Sequence, residues 1–116
     1  HRVVSFSMAS ENIDVPVENI LYLESNHRTM IMHLINHPRK DFHFYASITL
    51  MEDALSPIGF LRVHKSYLVN MEYIEILQYG KVRLKNSVEL PVSKNNYTEI
   101  KQQYISWRGG HRWNIG

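Results

Sequence analysis

Between Gly80 and Val92 the chain alternates with a period of two. Lys81-Val82-Arg83-Leu84-Lys85 puts Val82 and Leu84 on one face and the three cations on the other. Gly80 permits a turn before this run, Asn86-Ser87 suits another after it, and Val88, Leu90 and Val92 then alternate again. With Ile74–Tyr79 ahead of Gly80, the spacing predicts a three-strand meander with the cations turned to water or to a partner.

The upstream half reads the same way. Val3–Met8 is a short β-type run and Ser10–Asp14 is polar and turn-like. Within Val15–Ser25, Pro16 lies near a strand edge, Glu18 and Asn19 mark a turn, and the unbroken apolar run Ile20–Leu23 predicts a buried strand. Asn26–Thr29 is a polar connection, Met30–Ile35 a strand, and Asn36–Lys40 a turn. Asp41–Tyr45 is a further strand, with Phe42 and Phe44 on one face and His43 on the other.

Only two stretches have helical spacing. In Ser47–Leu55, Ser47 can cap, Ile48, Met51 and Leu55 form a core stripe, and Ser56-Pro57 with Gly59 ends the helix. A second helix is predicted from Ser93, with Tyr97, Ile100 and Tyr104 on one face and Lys94, Asn95 and Asn96 in its first turn. A lysine there opposes the helix dipole, a cost that a bound phosphate would offset. The fold class is therefore mainly β with short helices (a β-rich α+β chain), with the strands in small antiparallel sheets. Residues 1–106 read as one domain. Residues 107–116 depart in composition, with two Trp, three Gly, two Arg and one His, and read as a tail of unassigned role.

At 116 residues the chain can bury a core, and 44% hydrophobic with 21% charged residues marks it as globular. It has no cysteine, hence no disulfide framework and no thiolate site. No signal peptide and no membrane-length apolar run are visible, which suits a reducing, cytoplasmic setting. The formal net charge of +2 is uninformative, but its distribution is not. Residues 1–59 carry seven acids against four Lys/Arg, and residues 60–116 carry nine Lys/Arg against four acids. A basic half is an electrostatic footprint for a polyanion.

The most unusual stretch is Phe60–Asn70, F-L-R-V-H-K-S-Y-L-V-N. It contains no acid and fits neither a plain amphipathic strand nor a plain helix. Its apolar members would anchor it in a core while Arg62, His64, Lys65 and Ser66 are held outward at a bend. These side chains donate to phosphates and reach base edges. Asn70, at a turn, and Tyr67, partly buried, read as structural.

This stretch, followed by a hydrophobic pair, a hairpin over Ile74–Leu84 and L-P-V-S-K at Leu90–Lys94, resembles the LytTR family of bacterial DNA-binding domains. Ile20-Leu21-Tyr22-Leu23-Glu24-Ser25 is similar to an upstream strand of that family, and the resemblance covers roughly residues 3–105. It implies an antiparallel β fold whose loops form the DNA-binding edge and enter successive major grooves of a bent duplex. It also implies paired direct repeats in promoter DNA, a second copy of the domain on them, and an upstream receiver domain of a two-component response regulator, of which this chain would be the effector part. No cofactor and no membrane partner are implied.

Carried over position by position, the resemblance assigns base reading to His27 or Arg28 in the Asn26–Thr29 loop, to Lys65 after His64, and to Lys94 after Ser93. Arg62 and Ser66 would flank Lys65 as phosphate contacts or supports, and Asn95 and Asn96 would assist Lys94. Where the family often carries Asn or Arg at the Lys65 and Lys94 positions, lysine leans the contact toward guanine or phosphate.

Other chemistries are less well supported. His33, His37 and His43 are close in sequence, but Pro38 and the strand pattern keep His33 and His37 off one helical face, and no metal site is expected. His64 and Ser66 lack an orienting acid, and no glycine-rich phosphate loop exists, so no enzyme is expected. Glu52-Asp53 reads as a solvated helix flank. Single-strand or RNA binding by stacking is disfavoured because most of the aromatics fall at core positions. The alternative from another class is a β-rich protein-interaction module without DNA binding.

Overall fold

The computed structural model describes residues 2–111. In chain order the elements are β1 (Val3–Met8), β2 (Glu11–Pro16), β3 (Ile20–Asn26), β4 (Thr29–Leu34), β5 (Asp41–Tyr45), α1 (Ile48–Leu55), β6 (Phe60–His64), β7 (Tyr67–Asn70), β8 (Ile74–Gln78), β9 (Lys81–Leu84), β10 (Glu89–Pro91) and α2 (Tyr97–His111). They build three antiparallel sheets: the hairpin β1-β2, a five-stranded sheet ordered β5-β4-β3-β7-β6, and the meander β10-β9-β8. The mainly-β expectation holds.

The five-stranded sheet is the middle layer. On one face Ile20, Leu23, Met32, Phe42 and Leu68 pack with Val15 of β2 and with Ile48 and Leu55 of α1. On the other, Tyr22, Leu61, Val63 and Val69 pack with Val82, Leu84 and Leu90 of the meander and with Ile100 and Tyr104 of α2. A sheet covered on both faces needs apolar residues on both, hence the unbroken run Ile20–Leu23. A bulge between Ile20 and Tyr22 turns Leu21 and Tyr22 to the same cluster, where strict alternation would separate them.

Asn70 joins the layers at one end. It is 2% exposed, and its Nδ2 donates to the carbonyls of Val17 (3.3 Å) and Ile20 (2.8 Å), while its Oδ1 accepts from the Glu72 amide (3.1 Å). A buried amide satisfied on both sides is structural, as read from the sequence. Tyr67 is half-buried against the second cluster, also as read.

Three expectations are corrected. Ser10–Asp14 is not a turn: Glu11–Asp14 belong to β2, and the turn is Ala9-Ser10, with Ala9 at φ 55. The polar residues misled because they line the outer face, where Ser5 donates to Asp14 (2.6 Å) and Ser7 to Asn12 (3.0 Å). Asn26 and Thr29 pair as the last rung of β3 and β4, which leaves only His27-Arg28 as the turn. Finally, α2 starts at Tyr97, not Ser93. The Ser93 amide is taken by the Val63 carbonyl (2.7 Å), so Ser93–Asn96 form a loop beside β6, and the dipole argument for Lys94 lapses.

Residues 107–111 continue α2, and Trp107 packs on the second cluster with its indole against Gly59. The rest of the sequence-defined tail, 112–116, lies outside the described residues, as does His1. Among the described residues no helix is long and apolar enough to cross a membrane.

Candidate nucleic-acid interface

The topology collects turns at one end of the middle sheet. Glu24 lies opposite Tyr67, so the end of β3 meets the start of β7, and the Ser25 amide donates to the Ser66 carbonyl (2.8 Å). Thr29 lies opposite Tyr45, which brings the end of β5 to the same edge. The His27-Arg28 turn and the Lys65-Ser66 turn are therefore about two strand spacings apart, roughly 10 Å. The Ser93–Val63 bond adds the Ser93–Asn96 loop on the far side of β6. Along the edge the order is His27-Arg28, then Lys65-Ser66, then Lys94–Asn96.

The Lys65 turn is held by its own neighbours. Arg62 donates from Nε to the His64 carbonyl (3.1 Å), from Nη2 to the Lys65 carbonyl (2.7 Å) and from Nη1 to Glu52 Oε1 of α1 (3.0 Å). Every guanidinium nitrogen faces the protein, which makes Arg62 a support of the turn. The Ser66 amide donates to His64 Nδ1 (3.1 Å), which leaves the proton of the neutral ring on Nε2. Burial, and then the charges of Lys65 and Arg62, lower the His64 pKa from its ordinary 6.5. The Lys65 side chain is exposed.

Lys94 is guided differently. Its stem crosses Gly80, where a Cβ would lie 3.0 Å from the lysine Cε, and its ammonium sits 5.7 Å from the Tyr79 ring centroid. Tyr79 in turn meets Tyr97 edge-on at 5.5 Å. His64, Lys65, Ser93, Lys94 and Asn95 line one shallow cleft with Gly80, and Asn96 borders a second beside Glu52 and Arg62. His27 and Arg28 stand apart from both clefts on their own exposed turn, His27 in the left-handed region at φ 59.

Charge pairing separates these cations from others. Among the described residues, Arg28, Lys65 and Lys94 have no carboxylate partner, as is also true of Arg39, Lys40, Lys85 and Lys101 away from this edge, whereas Arg62 pairs with Glu52, Lys81 with Glu89 (3.5 Å) and Arg83 with Glu75 (2.6 Å). Unpaired exposed cations on one edge are suited to phosphates and base acceptors. A larger cleft, lined by Pro57, Gly59, Tyr73, Lys85 and Trp107, lies at the opposite strand ends, remote from this edge.

Sequence reasoning missed Glu52, Tyr79, Gly80 as a seat for Lys94, and Tyr45, which is 88% exposed beside Thr29. The Tyr79-Gly80 pair preceding an alternating strand was a usable signal. Glu52 left none, because its partner is ten residues away on another element.

A sequence model of the LytTr DNA-binding domain matches residues 10–105. The chain belongs to the LytTR family. Its fold agrees with a solved structure described as the LytTr DNA-binding domain of a methyl-accepting/DNA response regulator from Bacillus cereus. The TM-score is 0.69 at 21% identity, over 89% of this chain and 95% of that one. Comparison with curated proteins returns no match. As a LytTR DNA-binding domain the chain has DNA as its partner, and the family is one of binding domains, not of enzymes.

Proposed function

We propose that this LytTR domain reads duplex promoter DNA sequence-specifically, through turns that enter successive major grooves. Two copies would sit on direct repeats. The observation that carries the reading is the row of unpaired exposed cations, Arg28, Lys65 and Lys94, on one edge of the middle sheet. Lys65 and Lys94 suit guanine O6/N7 or phosphate, and Arg28 can read guanine bidentately. His64 and Ser66 shape the Lys65 turn, His27 flanks Arg28, and Asn95 and Asn96 lie beside Lys94 as adenine or phosphate contacts. Tyr45 adds a hydroxyl at the same edge for the backbone.

The likeness to a response-regulator domain supports placing the chain as the cytoplasmic effector part of such a regulator, downstream of a receiver domain. We assign the reading unit to the domain through the end of α2 at His111, since Trp107 packs on the second cluster, and leave 112–116 outside it.

The test is selection from a randomised duplex library, followed by affinities on the enriched pool and on random duplex at two salt concentrations. Enrichment of a short motif establishes specific reading, and its recurrence at helical spacing establishes paired domains. Strongly salt-dependent binding without enrichment reduces the function to backbone contact. No binding at either salt refutes the proposal in favour of a protein-interaction module.

A further inference from the structure

We propose that Glu52 is a positioning residue for sequence discrimination: through Arg62 it holds the backbone of the His64-Lys65 turn so that Lys65 faces DNA. The inference rests on Lys65 being a reading residue.

A carboxylate beside a phosphate-binding edge opposes the ligand, so Glu52 weakens binding unless it does something else there. Its position supplies that role. Glu52 Oε1 takes one guanidinium nitrogen of Arg62 at 3.0 Å, and the other two bond the successive carbonyls that lead into the turn, His64 at 3.1 Å and Lys65 at 2.7 Å. A planar guanidinium with one end fixed presents its remaining donors in fixed directions. Without Glu52, Arg62 is free to swing to a phosphate and release both carbonyls. Beyond the ladder pairing of His64 with Tyr67, the turn would then keep only the Ser66 amide bond to His64 Nδ1 and the Ser25 bond to the Ser66 carbonyl. The pair is no fold staple: Arg62 and Glu52 side chains are 25% and 36% exposed, and ion pairs of that exposure contribute little to stability.

The experiment compares wild type, Glu52→Ala, Glu52→Gln, Lys65→Ala and the Glu52→Ala/Lys65→Ala double variant on the selected duplex and on random duplex. Glu52→Ala should lower the ratio of selected to random affinity about tenfold, on the scale of one lost base contact. Its affinity for random duplex should hold or rise, and its thermal midpoint should not move. Glu52→Gln, whose amide oxygen still accepts from Arg62, should keep most of the ratio. In the Lys65→Ala background Glu52→Ala should add nothing, because both act through one side chain. Arg62→Lys, which cannot bridge Glu52 and two carbonyls together, should repeat the Glu52→Ala loss and tests the idea independently of how Glu52→Ala folds. An unchanged ratio in Glu52→Ala, or losses that multiply in the double variant, overturns the inference. If Lys65→Ala loses discrimination while Glu52→Ala keeps it, only the inference falls. If wild type prefers no duplex, the reading of Lys65 falls with it.

Discussion

Lys65 and Arg62 are three residues apart and both cationic, yet they do different work. Arg62 spends its donors on two carbonyls and a carboxylate, while Lys65 is exposed and unpaired. Lys65→Ala should therefore cost about 1–3 kcal/mol on the selected duplex and much less on random duplex. Equal losses on both would make Lys65 a phosphate contact only. His64, between them, supplies a pH dependence. The Ser66 amide needs an unprotonated Nδ1, and burial with the neighbouring Lys65 and Arg62 charges holds the folded pKa below 6.5. The unfolded chain then binds the proton at a higher pH than the native state does. The stability tied to neutral His64 is complete above about 6.5 and is lost as pH falls through the folded value. An NMR titration of the free domain should place the His64 midpoint below 6.5; a midpoint at or above it would remove this account of the turn.

At the scale of elements, the meander was legible because one strand, Lys81–Leu84, alternates strictly and a glycine and an Asn-Ser pair bracket it. The start of α2 was not. Lys94, Asn95 and Asn96 are compatible with a first helical turn, and only the capture of the Ser93 amide by β6 makes them a loop, a tertiary event with no local signature. The same holds within the site. Lys65 and Lys94 were named as candidates from the motif, whereas the groups that contact their surroundings, Glu52 through Arg62 at the Lys65 turn and Tyr79 with Gly80 at Lys94, come from other elements. Gly80 is a test of that difference. Its φ of 83 strains any larger residue, and an added methyl meets the Lys94 stem. Gly80→Ala should cost about 1 kcal/mol or more of stability. Under conditions where it remains folded, it should also weaken duplex binding as Lys94→Ala does. Destabilisation with undiminished affinity would show that Lys94 needs no seat.

For the molecule as a whole, packing on both faces of the middle sheet leaves its ends for function. One end carries Arg28, Lys65 and Lys94, and the other is closed by Asn70 and Trp107 around a separate cleft. The basic half of the sequence is thus not one basic surface. Lys81 and Arg83 are neutralised by Glu89 and Glu75 on the outer side of β9, and Lys85 lines the remote cleft. With Arg28, Lys65 and Lys94 as the unpaired cations at that edge, the logarithm of affinity should fall with the logarithm of salt at a slope no steeper than about −3 per domain, the value reached if all three neutralise phosphates. Replacing Lys81, Arg83 and Lys85 together with glutamine should leave that slope unchanged, although it removes three of the chain's thirteen Lys/Arg. Replacing Lys94 alone should reduce its magnitude by about one if that lysine faces a phosphate, as each neutralised phosphate contributes about 0.9. A slope that drops in the triple variant would extend the interface onto the meander, and the duplex would then have to lie across the face of the molecule and not along its end.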